Sequence, residues 1–207
     1  MAKKKGLSRP AKVFWGLLAA VFIAITGIWG YNRYMEKKKV DQLYQHGFQL
    51  LEEQIATYIK ENYSGISKIE FSPIFVDGDG RFTIMTVDVV PVVYDNYGNR
   101  SLLGTKVGNT SYGGYGVNGG VILDFDISGN EIIYLEDFDN DKEIEVSNDT
   151  HLPDKAKLLS SKKIDDNMAA LIEDKQLKDV TKSTEGSLEA EIIYNLEIKE
   201  GEYWKWR

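Results

Sequence analysis

The run Val13–Tyr31, VFWGLLAAVFIAITGIWGY, is nineteen residues long and carries no charge, with Thr26 as its one strongly polar member. At about 1.5 Å rise per residue, a helix of that length reaches roughly 28 Å, close to the ~30 Å hydrocarbon core of a bilayer. Phe14 and Trp15 at one end, and Trp29 and Tyr31 at the other, suit the two interfaces. A cleaved leader has a shorter apolar stretch followed by small residues at −3 and −1. The pairs Ala24/Thr26 and Ile25/Gly27 fit that rule poorly, so the segment reads as a retained signal anchor. It divides the chain into a basic cytoplasmic tail (1–12), a membrane span (13–31) and an extracytoplasmic domain (32–207).

Charge follows the same division. Residues 1–39 hold nine Lys/Arg and one acid, Glu36, so 40–207 hold sixteen bases against thirty-one acids, a net of −15. Nucleic acid is held mainly by Lys and Arg and is not expected as a partner of that surface. Cysteine is absent, which removes disulfides and thiolate chemistry. The two histidines, His46 and His151, are far apart in sequence, against a zinc site built from imidazole.

Beyond the span, Val40, Leu43, Tyr44, Leu51, Ile55, Tyr58 and Ile59 recur at helical spacing. They predict an amphipathic helix over 36–63, following a break near Gly30–Asn32. Glu52, Glu53, Lys60 and Glu61 take its wet face, and Gly47 weakens its middle. Strand patterns follow at 66–76, at 82–94, where Pro91 demands an edge position or a bulge, at 100–103, and at 121–127 with 131–138 across Ser128-Gly-Asn130. Asp77–Gly80 marks a reversal. A second helix is expected from Asp165 to about Val180, capped by Asp165 or Asp166. Residues 188–198 and 203–206 are expected to close the chain as a hairpin. The fold class is α+β: a transmembrane helix, an amphipathic helix packed on an antiparallel sheet, a second helix and a C-terminal hairpin.

Two segments invite a functional reading. Gly104–Gly120 has seven glycines in seventeen residues, and Gly114, Gly116 and Gly119 spell G-x-G-x-x-G. Dinucleotide binding needs that motif before a helix N-terminus. Here a strand pattern follows, so no cofactor is expected. A flexible loop presenting Tyr112 and Tyr115 to a protein partner suits the composition better. The second segment, 124–149, carries ten carboxylates and one base, Lys142. Within it Asp137, Asp139 and Asp141 match the first ligand positions of a calcium loop. Lys142 and Asn148 stand where that loop needs glycine and a bidentate glutamate. A solvated acidic turn, a docking patch for a basic partner and a weak metal site are the three readings. No catalytic signature occurs, so an enzyme is not expected; a carboxylate-dependent envelope hydrolase is the remaining catalytic option.

A short basic tail, one membrane helix, an amphipathic helix and a small acidic α+β domain form a layout that resembles the membrane-anchored accessory and immunity proteins of Gram-positive bacteria, the TipC-like immunity family among them. The resemblance covers the architecture of the whole chain and transfers no residue. It implies a single-pass membrane protein whose extracytoplasmic domain binds a protein partner outside the membrane, such as a secreted toxin. The alternative is an accessory subunit of a cell-envelope complex.

Overall fold

Helix α1 runs from Arg9 to Asn62 without interruption. The structure is a computed structural model that describes residues 9–78 and 85–206; the side chains of 9–21 lie outside the description, as do residues 79–84. The expected break at Gly30–Asn32 is absent. An isolated helical glycine costs about 1 kcal/mol relative to alanine, too little to stop a helix among strong formers. The chain forms two compact units, Met1–Gln42 and Leu43–Arg207. In the first, Phe22, Ile23, Ile25, Ile28, Trp29, Tyr31 and Tyr34 are 61–69% exposed, on every side of the helix. Among the described residues no helix is long and apolar enough to cross a membrane. Of the expected span 13–31, only 22–31 have described side chains.

The second unit holds the remaining elements. Strands β1 (Tyr63–Ser64), β2 (Ile66–Phe71), β3 (Ile74–Asp77), β4 (Thr86–Val89), β5 (Pro91–Asp95), β6 (Arg100–Leu102), β7 (Lys106–Val107), β8 (Thr110–Ser111) and β9 (Tyr115–Gly116) come first. After them come β10 (Val121–Phe125), β11 (Glu131–Asp137), β12 (Lys142–Glu145), helix α2 (Lys162–Glu173), β13 (Thr181–Lys182), β14 (Glu191–Ile193) and β15 (Ile198–Glu200). The sheet orders β14-β2-β5-β6 and β15-β3-β4-β9 are two halves of one creased layer. Each of its long strands is interrupted at the same level. Ser72-Pro73 separates β2 from β3, Val90 separates β4 from β5, and Tyr194–Glu197 separates β14 from β15. Ser72 stitches the crease: its N–H donates to Val90 O (3.0 Å), and its hydroxyl accepts the Val90 N–H (2.8 Å). Pro91, expected at an edge or bulge, is instead the first residue of the inner strand β5, a position where a missing N–H is tolerated. The reversal expected at Asp77–Gly80 extends into residues outside the description.

The C-terminal hairpin is not formed. β14 and β15 pair in parallel with β2 and β3, and Tyr203–Lys205 is a 3-10 turn. The hairpin β10–β11 forms as expected, and β12 extends it. Helix α2 starts three residues before Asp165, because Ser161 accepts the Ile164 N–H and Asp139 accepts the Lys162 N–H. Asp165 instead receives the hydroxyls of Tyr58 (3.0 Å) and Tyr63 (2.7 Å) and the Lys182 ammonium.

From Leu43 onward α1 packs on the sheets, as expected, and is enclosed along most of its length, with Gln45 and Glu61 exposed. Phe48, Leu50, Leu51, Ile55, Tyr58 and Ile59 are buried, and so are Glu52, Glu53 and Gln54. Leu123 of β10 presses on Gly47, where an added Cβ would lie 2.3 Å from its Cδ2. The polar face binds irregular backbone. Gln45 donates to Leu196 O (3.1 Å), and Glu52 accepts the Asn195 N–H (3.1 Å). On another flank Gln49, Glu53 and Gln54 take Thr150 O, the Leu152 N–H and Ala156 O. Both histidines join that clasp: His46 meets Glu131 (2.7 Å) and Asp149 O (2.9 Å), and His151 meets Glu53 (2.9 Å). Buried loop backbone needs such partners, and an enclosed helix is where they can be supplied.

Candidate functional site

The glycine-rich segment is pinned. β7 pairs with β8 around Gly108, and β9 adds to the creased layer with Tyr115 opposite Val89. An added Cβ at Gly116 would stand 2.1 Å from Val87 O, and one at Gly114 would stand 2.8 Å from the Tyr203 hydroxyl. These glycines permit close approach of protein, not of a phosphate, and the strand β10 follows them. Tyr115 is 3% exposed, so its ring offers no contact area to a partner. Burial holds its hydroxyl well above the ordinary tyrosine range. Tyr112 is half-buried and lines a shallow open cleft with Val107, Ala170 and Glu173.

Lys163, near the start of α2, is what locks this segment. Its ammonium donates to Gly114 O (2.5 Å) and Gly119 O (2.8 Å) and stands 4.4 Å from the centre of the Tyr115 ring. Burial lowers its pKa to about 8, against the opposing pull of Asp88 and Glu136. Asp88 is raised to about 6 by burial, which outweighs the nearby lysine and the Thr86 hydroxyl. Glu136 closes the far side, accepting the Gly120 N–H (3.0 Å).

The acidic turn meets the same place. Asp137 is buried and accepts the Asn140 side-chain amide (2.8 Å). Asp139 caps α2 through both oxygens, at 3.1 and 3.0 Å from Lys162 N. Asp141 is exposed with φ of 51°. The three carboxylates have separate tasks, and among the described residues no group of three or more His, Asp or Glu is arranged to hold a metal ion. Tyr115, Asp137 and Asp139 do converge, around a cavity of about 20 Å³ that Leu51, Phe138 and Lys163 also line. That is room for about one water. Shifted pKa values in a cleft often mark catalysis. Here the shifted lysine already has two carbonyl partners beside a space for about one water.

Outside the cavity lies a surface of different character. Phe138 is 53% exposed, and Asp139, Asp141, Glu143 and one base, Lys142, are exposed on the same turn. A shallow cleft of about 370 Å³ follows the β11–β12 turn past Phe138, Asp141 and Glu143. An exposed aromatic within an acidic rim is equipped for recognition, with apolar contact at the centre and charge at the edge. Sequence pattern marked the acids but missed Phe138, Lys163 and Asp88. Phe138 ends a strand-like run, and alternation with the inward Ile133, Leu135 and Asp137 puts it on the other face. The only signal for Lys163 was its position beside a capping serine. Comparison with known families, with characterised proteins and with solved structures gives no match.

Proposed function

We propose that the chain is a membrane-anchored protein-binding module whose domain meets a basic protein partner outside the membrane, in the manner of an immunity or inhibitor protein facing a secreted toxin. The observation that carries the reading is Phe138, exposed at the head of an acidic hairpin in a domain of strong net negative charge. An acidic face speeds encounter with a basic partner, and a desolvated aromatic holds it. The uncharged run 13–31, exposed on all sides of α1 where its side chains are described, supports anchoring.

The test is affinity of the full chain, in lipid nanodiscs, for a basic protein purified from the producing organism's secreted fraction. Phe138→Ala should weaken binding by about thirtyfold or more, the effect of losing a hot-spot aromatic. Asp141→Asn with Glu143→Gln and Glu145→Gln should slow association and flatten its salt dependence. Melting temperatures should hold in both variants. Unchanged affinity in both would overturn the reading.

A further inference from the structure

We propose that residues Trp29–Lys39 form a collar that binds the headgroups of an anionic phospholipid surface; the proposal rests on the anchoring read above. The collar is layered along α1. Apolar side chains lead up to Ile28, then come the aromatics Trp29, Tyr31 and Tyr34 with Arg33 among them, and Lys37, Lys38 and Lys39 come last. All these aromatic and basic side chains are exposed. At about 1.5 Å per residue, Trp29 to Lys39 covers about 15 Å, enough to cross the headgroup layer and set the lysines at its outer surface.

Charge selects the partner. Glu36 is the one acid between Phe22 and Val40, against four bases. None of the described ion pairs engages those bases. The Arg33 guanidinium lies 5.4 Å from the centre of the Trp29 ring, linking the aromatic layer to the basic one. At about 100° per residue, Lys37, Lys38 and Lys39 point in three directions around the axis. A helix lying flat on a membrane would gather its bases on one face and its apolar residues on the other. This helix has both all round and in sequence along its length, the arrangement of an upright helix encircled by lipid. The matching ligand is the phosphate of a negatively charged headgroup, which clustered lysine and arginine attract at short range.

The full chain reconstituted into mixed vesicles, with spin-labelled phosphatidylglycerol or phosphatidylcholine, gives the fraction of each lipid held at the protein. At low ionic strength phosphatidylglycerol should be preferred by about fivefold, the worth of one lysine at an anionic surface. That preference should fall to near unity in 1 M salt; in the variant Lys37→Gln, Lys38→Gln, Lys39→Gln it should drop by about twofold or more, to what Arg33 and the five bases of residues 1–12 sustain. Equal holding of the two lipids by the wild type overturns the collar while leaving the anchor in place. A preference as large in the variant as in the wild type also overturns it. If neither lipid is held, the helix is not in the bilayer and the anchoring reading falls with the collar.

Discussion

Glu52 is fully enclosed in helix α1, with one carboxyl oxygen accepting the Asn195 N–H and no described partner for the other. Burial pushes its pKa up to about 9, and neighbouring Glu53 adds to the shift. The folded state therefore keeps a proton that the unfolded chain releases above about 4.5. Stability from this group is present below that value and is lost as pH rises toward 9. Glu52→Gln should change little at pH 4 and stabilise by on the order of 2–3 kcal/mol at pH 7, read by urea unfolding at both. A difference that does not vary with pH would refute a buried, protonated carboxyl. The amphipathic pattern could not reveal this residue, because it assigns every glutamate on the polar arc to water, and enclosure of α1 is a tertiary event. The tyrosines of the glycine-rich segment make the same point. Tyr115→Ala should cost about 3–5 kcal/mol, as for a large buried aromatic, whereas Tyr112→Ala should stay within about 1 kcal/mol. Equal, small losses in melting temperature for both would restore the flexible loop.

Elements were legible where local pattern decides them. Hairpin β10–β11 follows from alternation and a turn sequence at Ser128–Asn130, and it lies where expected. β14 and β15 were misjudged because strand pattern gives a strand's existence, not its partner. Their parallel partners β2 and β3 lie more than a hundred residues earlier. The start of α2 was placed late because two acids at 165 and 166 look like caps, while the effective carboxylate comes from Asp139 on another element. Asp139→Ala should therefore lower stability by about 1 kcal/mol through loss of an N-terminal cap. Asp141→Asn, on an exposed residue, should stay within about 0.5 kcal/mol. Thermal unfolding of the two variants checks this, and equal stability would mean that Asp139 does not hold α2.

At the scale of the whole molecule, two units with opposite surfaces share one helix. Met1–Gln42 contains the apolar run and nine bases, and Leu43–Arg207 contains nearly all of the acids. Composition alone made this asymmetry legible, since it needs no knowledge of the fold. The proposed recognition surface was only half legible: its charge could be counted, but its aromatic centre depends on which side of β11 faces inward at its end. In the proposed reading, anchoring ties the two units into one function, since it holds a binding domain at the cell surface where a partner arrives. Alkaline carbonate extraction of membranes, followed by protease treatment of intact protoplasts, tests that arrangement. Anchoring with the domain outside predicts that the chain stays in the carbonate pellet and that protease removes the domain, leaving a small membrane-bound fragment. Release into the carbonate supernatant, or full protection of the domain, would contradict it.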